Sequence, residues 1–329
     1  MNLTNNNFYK EIKELLYSAK NKVYQTINIT MTQTYFQIGK RIVEEEQGGV
    51  TRAEYGSALL KNLSNELIKE FGKGYSEQNL KNMRQFYLIY QKRQTVSSEF
   101  KLSWSHYIFL TRIENIDERN FYEIESIENS WSLRELKRQF DTGLFERLSL
   151  SGDKQKIKEL SLNGQVIQTV QDLIKDPYIL EFVGLPELSV YSESELEQKL
   201  IDKLEHFLLE LGKGFTFVAR QKRITIDEKH FKVDLVFYNR LLKSFVVIDL
   251  KIVELKHQDI GQMMMYVNYF DRFEKTEDEN STIGIILCKD KSKALVELTL
   301  PKDNNQIYAS KYLTILPNKE EFKKLLEEE

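Results

Sequence analysis

Asp234, Asp249 and Lys251 are the residues of this sequence whose types and spacing best suit catalysis. They lie in two segments rich in Val, Ile, Phe and Leu, residues 232–240 and 245–251, which predict β-strands. A hairpin turn centred between residues 241 and 242 would place Asp234 directly opposite Asp249, with Cβ atoms about 4.5–5.5 Å apart. Because side chains alternate between the faces of a strand, Lys251 shares the face of Asp249. This register assumes that no β-bulge interrupts the hairpin.

A pair of opposed carboxylates in apolar strands requires a compensating charge. Like charges opposed across a sheet are unfavourable, and an unpaired buried charge costs more free energy still. A Mg²⁺ ion, which takes oxygen ligands from one or two carboxylates, water and phosphate, satisfies both acids. Lys251 would then hold a water molecule or a phosphate oxygen beside the metal. The alternative is a solvated hairpin with ordinary Asp–Lys ion pairs, but both faces of the second strand are largely apolar, which favours a buried strand.

The charges around these strands fit a phosphodiester substrate. The whole chain has a formal net charge of −3. Residues 212–257 nevertheless contain ten Lys or Arg and five Asp or Glu. Arg220, Lys222 and Arg223 lie on the strand that precedes the acidic pair. A basic field around an acidic pocket attracts nucleic acid, although a solvated sheet edge could have the same composition.

The sequence resembles the motif of the PD-(D/E)XK nuclease superfamily, with Asp234 followed, after fourteen intervening residues, by Asp249-Leu250-Lys251. Val233 stands where the superfamily usually has proline. Further segments match a narrower family: residues 208–215, 220–224, 261–263 and 284–288, and the line from Leu102 to Arg147. With these segments the sequence is similar to the bacterial YhcG family of nucleases over essentially its whole length.

The resemblance implies a divalent metal, Mg²⁺ or Mn²⁺, and a third ligand for it. An acid on the first helix of the superfamily fold often completes the metal site, which selects Glu197 beside Asp234 and Asp249. Glu197 could instead form a helix-capping box with Ser194, but a box formed two residues earlier leaves Glu197 free.

Gln262 and Tyr266 are further candidates for the site. They are four residues apart on a helix predicted over residues 256–273, so they share a face. The pattern Gln-x-x-x-Tyr after the Asp-x-Lys strand resembles an additional motif of RecB-like members of the superfamily. In those members both residues border the active site, so the resemblance implies that Gln262 and Tyr266 position the substrate.

The amino-terminal half predicts helices, two of which form a candidate helix-turn-helix. Gly72-Lys73-Gly74 separates a helix that ends there from one that begins at Ser76. The second helix carries on its polar face Gln78, Lys81, Asn82 and Gln85. Gln and Asn can pair with adenine edges, and Lys with guanine or phosphate. Solvation alone also explains a polar face, but the resemblance favours DNA binding.

A helix is predicted from Ser192 to Leu211, followed by three strands, a helix and a strand. This order is the core order of the PD-(D/E)XK fold. We therefore expect an α+β two-domain protein, and its 329 residues are enough for two domains. The expected parts are a helical, DNA-binding domain over residues 1–149, a helical connector over residues 150–190, and a restriction-endonuclease-like α/β domain with a central mixed sheet over residues 191–329.

Composition predicts a cytoplasmic protein that does not enter membranes. The hydrophobic fraction is 41% and the charged fraction 29%, and there is no run of about 18 apolar residues. The amino terminus lacks the basic and apolar regions of a signal peptide. The single cysteine, Cys288, permits neither an intramolecular disulfide nor a cysteine-based zinc site, and we expect it in the core.

These features predict a Mg²⁺-dependent endonuclease whose substrate is DNA, with RNA a weaker alternative. A second interpretation is a DNA-binding or assembly protein on a nuclease fold, in which cleavage is dormant or depends on a partner. The family resemblance suggests a role in DNA restriction, defence or processing. It is compatible with a homodimer or with partner proteins of such a system.

Overall fold

The structure is a computed structural model that describes residues 3–48, 53–91, 100–149, 154–185 and 191–316. The helices in these ranges are α1 Leu3–Gly48, α2 Ala53–Phe71, α3 Glu77–Tyr90, α4 Trp104–Leu110, α5 Ile116–Glu128, α6 Leu133–Asp141, α7 Leu144–Ser149, α8 Lys154–Asn163, α9 Glu193–Asp202, α10 Leu204–Leu211, α11 His257–Tyr269 and α12 Lys293–Thr299. The strands are β1 Tyr178–Ile179, β2 Phe215–Ile226, β3 Lys229–Asn239, β4 Ser244–Glu254, β5 Ile283–Asp290 and β6 Ile307–Leu313.

The chain divides into two compact units, Met1–Lys137 and Arg138–Glu329. The first is helical, and the second holds the sheet, in agreement with the predicted α+β class. The domain boundary predicted after residue 149 adjoins residues 150–153, which lie outside the described ranges, so that boundary stays a prediction.

The first unit is organised by the crossing of α1 and α3. At the crossing, a Cβ atom on Gly39 would lie 2.1 Å from the backbone oxygen of Met83, so only glycine permits this approach. Phe36 of α1 packs against Phe86 of α3 with ring centroids 5.8 Å apart. The two helices predicted as a helix-turn-helix are present as α2 and α3, joined by a short turn of 3₁₀ helix. Ser76 caps α3 by accepting a hydrogen bond from the amide of Asn79.

The second unit contains a six-stranded mixed sheet in the order β1-β6-β5-β4-β3-β2. β2, β3 and β4 are antiparallel neighbours. β4, β5, β6 and β1 are parallel neighbours. A central mixed sheet was predicted, but the sequence pattern did not identify β1 and β6.

Both faces of the sheet are covered, so β4 is a central, buried strand as predicted. Val246, Ile248 and Leu250 point to the core that α9 and α10 help to form. Val247 points to the opposite core, which includes Met263 of α11. Burial of the sheet on both sides fixes the direction of every β4 side chain, including the two charged ones.

Two expectations require correction. A single helix was predicted from Ser192 to Leu211, but the chain breaks at Lys203, whose φ of −117° and ψ of 30° separate α9 from α10. The sequence gives no proline or glycine signal for this break. The connector was also predicted to be helical, but within it Tyr178 and Ile179 form the strand β1 beside β6 and are fully buried.

Cys288 is buried in the core beside α11, as predicted. Burial raises the pKa of its thiol to about 12, which makes it a packing residue and not a nucleophile. In the parts of the chain that the structure describes, no helix combines the length and the apolar character needed to cross a membrane.

Candidate active site

The strand register predicted for the hairpin is confirmed. β3 and β4 pair from Leu235 opposite Ile248 up to the turn at residues 240–243. Directly beyond this ladder, Asp234 Oδ2 accepts a hydrogen bond of 2.8 Å from the backbone amide of Leu250. A side-chain oxygen of β3 therefore contacts the backbone of β4 between Asp249 and Lys251.

Asp234 is held by two donors. Besides the Leu250 amide, the side-chain amide of Gln221 donates to Asp234 Oδ1 at 3.2 Å. Burial raises the pKa of Asp234 above its ordinary value; the hydrogen bond from Leu250 and the charge of Lys251 oppose that rise, and Glu197 adds to it. Asp234 is therefore an acid that is partly deprived of solvent and lies near other charges.

Asp249 and Lys251 form a contact on the same edge of β4. Lys251 Nζ lies 2.7 Å from Asp249 Oδ2, and the two side chains are 13% and 3% exposed. Despite this contact, Asp249 Oδ2 has no donor in hydrogen-bonding geometry. Burial raises the pKa of Asp249 to about 7, and Asp234 contributes to the rise against the opposing effect of Lys251.

Lys251 is a stable cation at this place. Burial alone would lower the pKa of its ammonium group, but Asp249 outweighs that effect, so the pKa is raised. Lys251 therefore keeps its proton at neutral pH. An ammonium group fixed beside two acids can donate to a water molecule or to a phosphate oxygen.

Glu197 of α9 is buried and faces β2. Its Oε1 atom lies 3.1 Å from Nε of Arg220, and its Oε2 atom accepts a 2.5 Å hydrogen bond from the side-chain amide of Gln221. The capping box that begins α9 uses Ser192 and Glu195, which leaves Glu197 free to point inward. Because Gln221 also donates to Asp234, one amide group connects the two acids.

Gln262 and Tyr266 lie together on α11 next to the acids. The Tyr266 hydroxyl donates to the backbone oxygen of Lys232 at 2.8 Å, and the Gln262 amide bonds to the same hydroxyl. Burial raises the pKa of Tyr266, and the nearby carboxylates of Asp249 and Asp234 add to the rise. The helix is thereby fixed to the strand that carries Asp234.

The acids of this site suit a hard divalent cation, although the structure does not gather three ligands. Among the described residues, no three Asp, Glu, His or Cys side chains lie in a metal-binding arrangement, since Glu197 is engaged by Arg220 and Gln221. Asp234 and Asp249 remain as a pair whose charges interact. The buried Oδ2 atom of Asp249, which lacks a well-oriented donor, is the position where a cation would relieve the cost of burial.

Comparison with known proteins identifies the family. Residues 171–327 match the model of the YhcG PDDEXK nuclease domain, and residues 11–147 match that of the DUF1016 N-terminal domain. The chain is 38% identical over 337 residues to "Putative nuclease YhcG" of Escherichia coli (strain K12), a match that covers 93% of this chain and 89% of that protein.

The chain belongs to the YhcG family. It carries that family's PDDEXK nuclease domain on the sheet described above, as the resemblance of the motif implied.

Solved structures show only a partial likeness to this YhcG-family chain. One is described as a repair endonuclease from Pyrococcus abyssi, with 22% identity, a TM-score of 0.26 and coverage of 37% of this chain. Another is described as an EndoMS–dsDNA complex, with 18% identity, a TM-score of 0.28 and coverage of 41% of this chain. The chain spans about half the length of both.

Two residues of the site were not identified as candidates from the sequence. Gln221 is in the left-handed region, with φ of 48°, inside β2, and it joins Glu197 to Asp234. Glu193, the first residue of α9, lies 3.8 Å from Lys251 Nζ. The only available signal for Glu193 was its place one helical turn before Glu197, because residues four apart share a face.

The basic residues predicted on β2 are engaged in different ways. Arg220 bonds to Glu197 and to the side chain of Gln198. Lys222 pairs with Glu274 at 3.1 Å. Arg223 is exposed and lies 2.6 Å from a ring nitrogen of His230. Arg220 is therefore the predicted phosphate contact that lies next to the acids.

The polar face predicted on α3 is present and accessible. Gln78, Lys81 and Gln85 are exposed, and Asn82 is half-buried. Gln78 bonds to Asn82 at 3.3 Å, and Lys81 pairs with Glu77 of the same helix at 2.7 Å. Both contacts join residues of α3 to each other, so the polar face presents side-chain amide groups and the ammonium group of Lys81 to the solvent.

Proposed function

We propose that this YhcG-family nuclease is a Mg²⁺- or Mn²⁺-dependent DNA endonuclease. The observation that carries the proposal is the pair of buried acids, Asp234 and Asp249, beside the protonated Lys251. Asp234 and Asp249 would hold the metal, with Glu197 as a third ligand once it leaves its partners on β2. When bound, such an ion supplies Lewis-acid polarisation of the phosphate and lowers the pKa of a bound water.

The chain's own groups have separate tasks in this reaction. Lys251 Nζ carries a proton at neutral pH and donates to the attacking water or to the phosphate oxygens, where negative charge develops. Gln262 and Tyr266 hold α11 against β3 and border the space in which the substrate lies. Arg220 contacts a phosphate at the edge of the site, with Lys222 and Arg223 further along β2.

DNA is proposed as the substrate because α3 offers groups that read base edges. Gln78, Asn82 and Gln85 can pair with adenine, and Lys81 with guanine or phosphate. This role fits a second helix of a helix-turn-helix. A cytoplasmic role in DNA restriction, defence or processing, with partner proteins, is consistent with these parts.

Cleavage of several forms of DNA with Mg²⁺ or Mn²⁺ tests the proposal. Asp249→Asn and Lys251→Met should each lower the rate by roughly 10²–10³-fold. The first weakens a ligand of the metal, and the second removes the positive charge that faces the reacting phosphate. Glu254→Gln, on the exposed end of the same strand, is the matched control and should cleave normally. Equal activity in all four proteins would reject the assignment. A parallel assay with RNA decides between the two nucleic acids.

One observation favours a second function, a DNA-binding protein with dormant or partner-dependent cleavage. Glu197 is held by Arg220 and Gln221 instead of joining the other acids. Salt-dependent DNA binding with no cleavage under any metal condition would support this function and would contradict an autonomous nuclease.

A further inference from the structure

The first part of α1 carries an apolar stripe that the described residues of its own unit leave exposed. Among the described side chains, nine large ones in this part of α1 are between 41% and 66% exposed. They include Tyr9, Ile12, Leu16 and Val23 of the stripe and Phe8 and Leu15 beside it. Among the α1 side chains whose burial is described, the first buried one is Thr32. A long helix with a bare apolar face gains little stability in water, because helices in proteins are stabilised mainly by packing of that face. The stripe therefore requires a partner.

The stripe does not point in the direction in which α1 meets its own unit. At 100° per residue, Tyr9, Leu16 and Val23 lie on the side of the helix roughly opposite to Phe36 and Val43, which are buried. Extending the contact between α1 and α3 along the helix would leave the stripe bare. The contact with α3 therefore leaves the stripe available to another molecule.

The spacing of the stripe is that of a coiled coil. Tyr9, Ile12, Leu16, Ala19 and Val23 follow one another at intervals of three, four, three and four residues. This is the a/d repeat of a helix that packs along a second helix. Three successive a positions and the two d positions between them are thus apolar.

The residues that flank the stripe match a second copy of the same helix. In a parallel pair, each g position faces the following e position of the partner helix. The facing pairs are then Phe8 with Lys13, Leu15 with Lys20, and Lys22 with Ile27. Every pair joins one lysine to one apolar residue, so the aliphatic stem of each lysine covers an exposed side chain and no like charges meet.

An antiparallel pair is disfavoured by the same residues. In an antiparallel pair, each e position faces an e position of the partner helix. The alignment that overlaps the whole stripe then places Lys13 of one helix beside Lys20 of the other, so two like charges meet. We propose that the chain forms a homodimer through a parallel coiled coil of residues 8–27 of α1. Each dimer then carries two candidate active sites and two α3 faces.

Leu16→Glu in the full chain is the first test. It places two carboxylates at one core layer, so a protein of twice the monomer mass in sedimentation or light scattering should become monomeric. Ser18→Glu adds the same charge on the exposed outer side of α1 and should remain dimeric. Circular dichroism and the unfolding midpoint show that the rest of each variant is folded. A monomeric wild type, or a dimer that Leu16→Glu leaves intact, would overturn the proposal.

Cysteine cross-linking tests the parallel direction independently of folding effects. Because Cys288 is buried, an introduced thiol is the reactive one. Tyr9→Cys should form a disulfide-linked dimer readily, since the two residues face each other only in a parallel pair. Ser18→Cys, on the outer side, should cross-link much more slowly. The reverse order of rates would contradict the register.

Discussion

Asp249 is a buried acid with another acid nearby, and its titration should affect the stability of the protein. In the folded state its pKa is raised from 3.8 to about 7, chiefly by burial. Between these two values the folded chain keeps a proton that the unfolded chain releases. Stability therefore falls as the pH rises through this window and is lowest above it, where the folded protein holds an ionised carboxylate in a buried position.

Removing the carboxylate should remove this pH dependence. In a chelator, wild-type protein should lose stability relative to Asp249→Asn as the pH rises from about 4 to about 7. Adding Mg²⁺ should reduce the loss, because the ion favours the ionised carboxylate. Thermal unfolding midpoints of both proteins across this range, with and without Mg²⁺, provide the measurement. A constant difference between the two proteins would mean that Asp249 does not titrate there.

Gln221 combines an unfavourable backbone conformation with a bridging role. Its φ of 48° is uncommon for a residue with a side chain, and its amide connects Glu197 to Asp234. Strained residues of this kind concentrate at functional sites. Gln221→Gly should be about 1 kcal/mol more stable than Gln221→Ala, because glycine adopts this conformation without the steric cost.

Both Gln221 variants should bind divalent metal more weakly than wild type, by about 10–100-fold, since residues that orient ligands contribute that much. Calorimetric titration with Mn²⁺ checks the affinity, and denaturant unfolding checks the stability. Glu228→Gly is the control, since Glu228 also has a positive φ, of 66°, but lies in an exposed turn. It should leave metal affinity unchanged. Normal metal binding by Gln221→Ala would show that the bridge is dispensable.

At the scale of elements, a buried ion-pair network joins α7 and α10 to β1. Glu210 accepts from Arg147 at 2.6 Å and from the backbone amide of Ile179 at 2.9 Å, and Arg138 lies 3.3 Å away. Lys175 bonds to the backbone oxygen of Glu210. Burial alone would raise the pKa of Glu210, but the three cations outweigh it and lower the pKa to about 2.

Breaking this network should be costly. Glu210→Gln should destabilise the protein by about 3–5 kcal/mol, because it leaves the side chain of Arg147 buried without its counter-charge. Denaturant unfolding of the full chain measures the loss. Lys69→Met, which removes the exposed pair with Glu66, is the control and should change stability by less than about 1 kcal/mol. If Glu210→Gln and Lys69→Met had equally small effects on stability, hydrogen bonds outside this network would be what holds β1 in place.

At the scale of the whole molecule, DNA binding and cleavage should be separable. Lys81→Ala should weaken DNA binding most at low salt, and it should lower the slope of log K against log salt by about 1 if Lys81 contacts a phosphate. At saturating DNA it should cleave at the normal rate. Asp249→Asn should bind DNA with normal affinity but cleave it slowly. Binding isotherms at several salt concentrations and single-turnover cleavage provide the two measurements, and a Lys81→Ala protein with unchanged affinity would remove α3 from the interface.

The amino-acid sequence by itself determined the hairpin, its register and the faces of its charged residues. Alternation along β4 and the position of the turn were sufficient, because a one-residue error in register would turn Val247 and the charged side chains of β4 to the opposite face of the sheet. The resemblance to RecB-like members selected Gln262 and Tyr266, and helical spacing predicted that both share one face of α11.

Only the tertiary structure decided how the acids are held. Gln221, Glu193 and Arg220 reach the site from β2 and α9, which are distant in sequence from β4, and no local pattern encodes such contacts. The break at Lys203 and the strand β1 likewise arise from packing against the sheet. Local periodicity fixes which way a side chain points, whereas its neighbours depend on contacts that form only when the whole chain has folded.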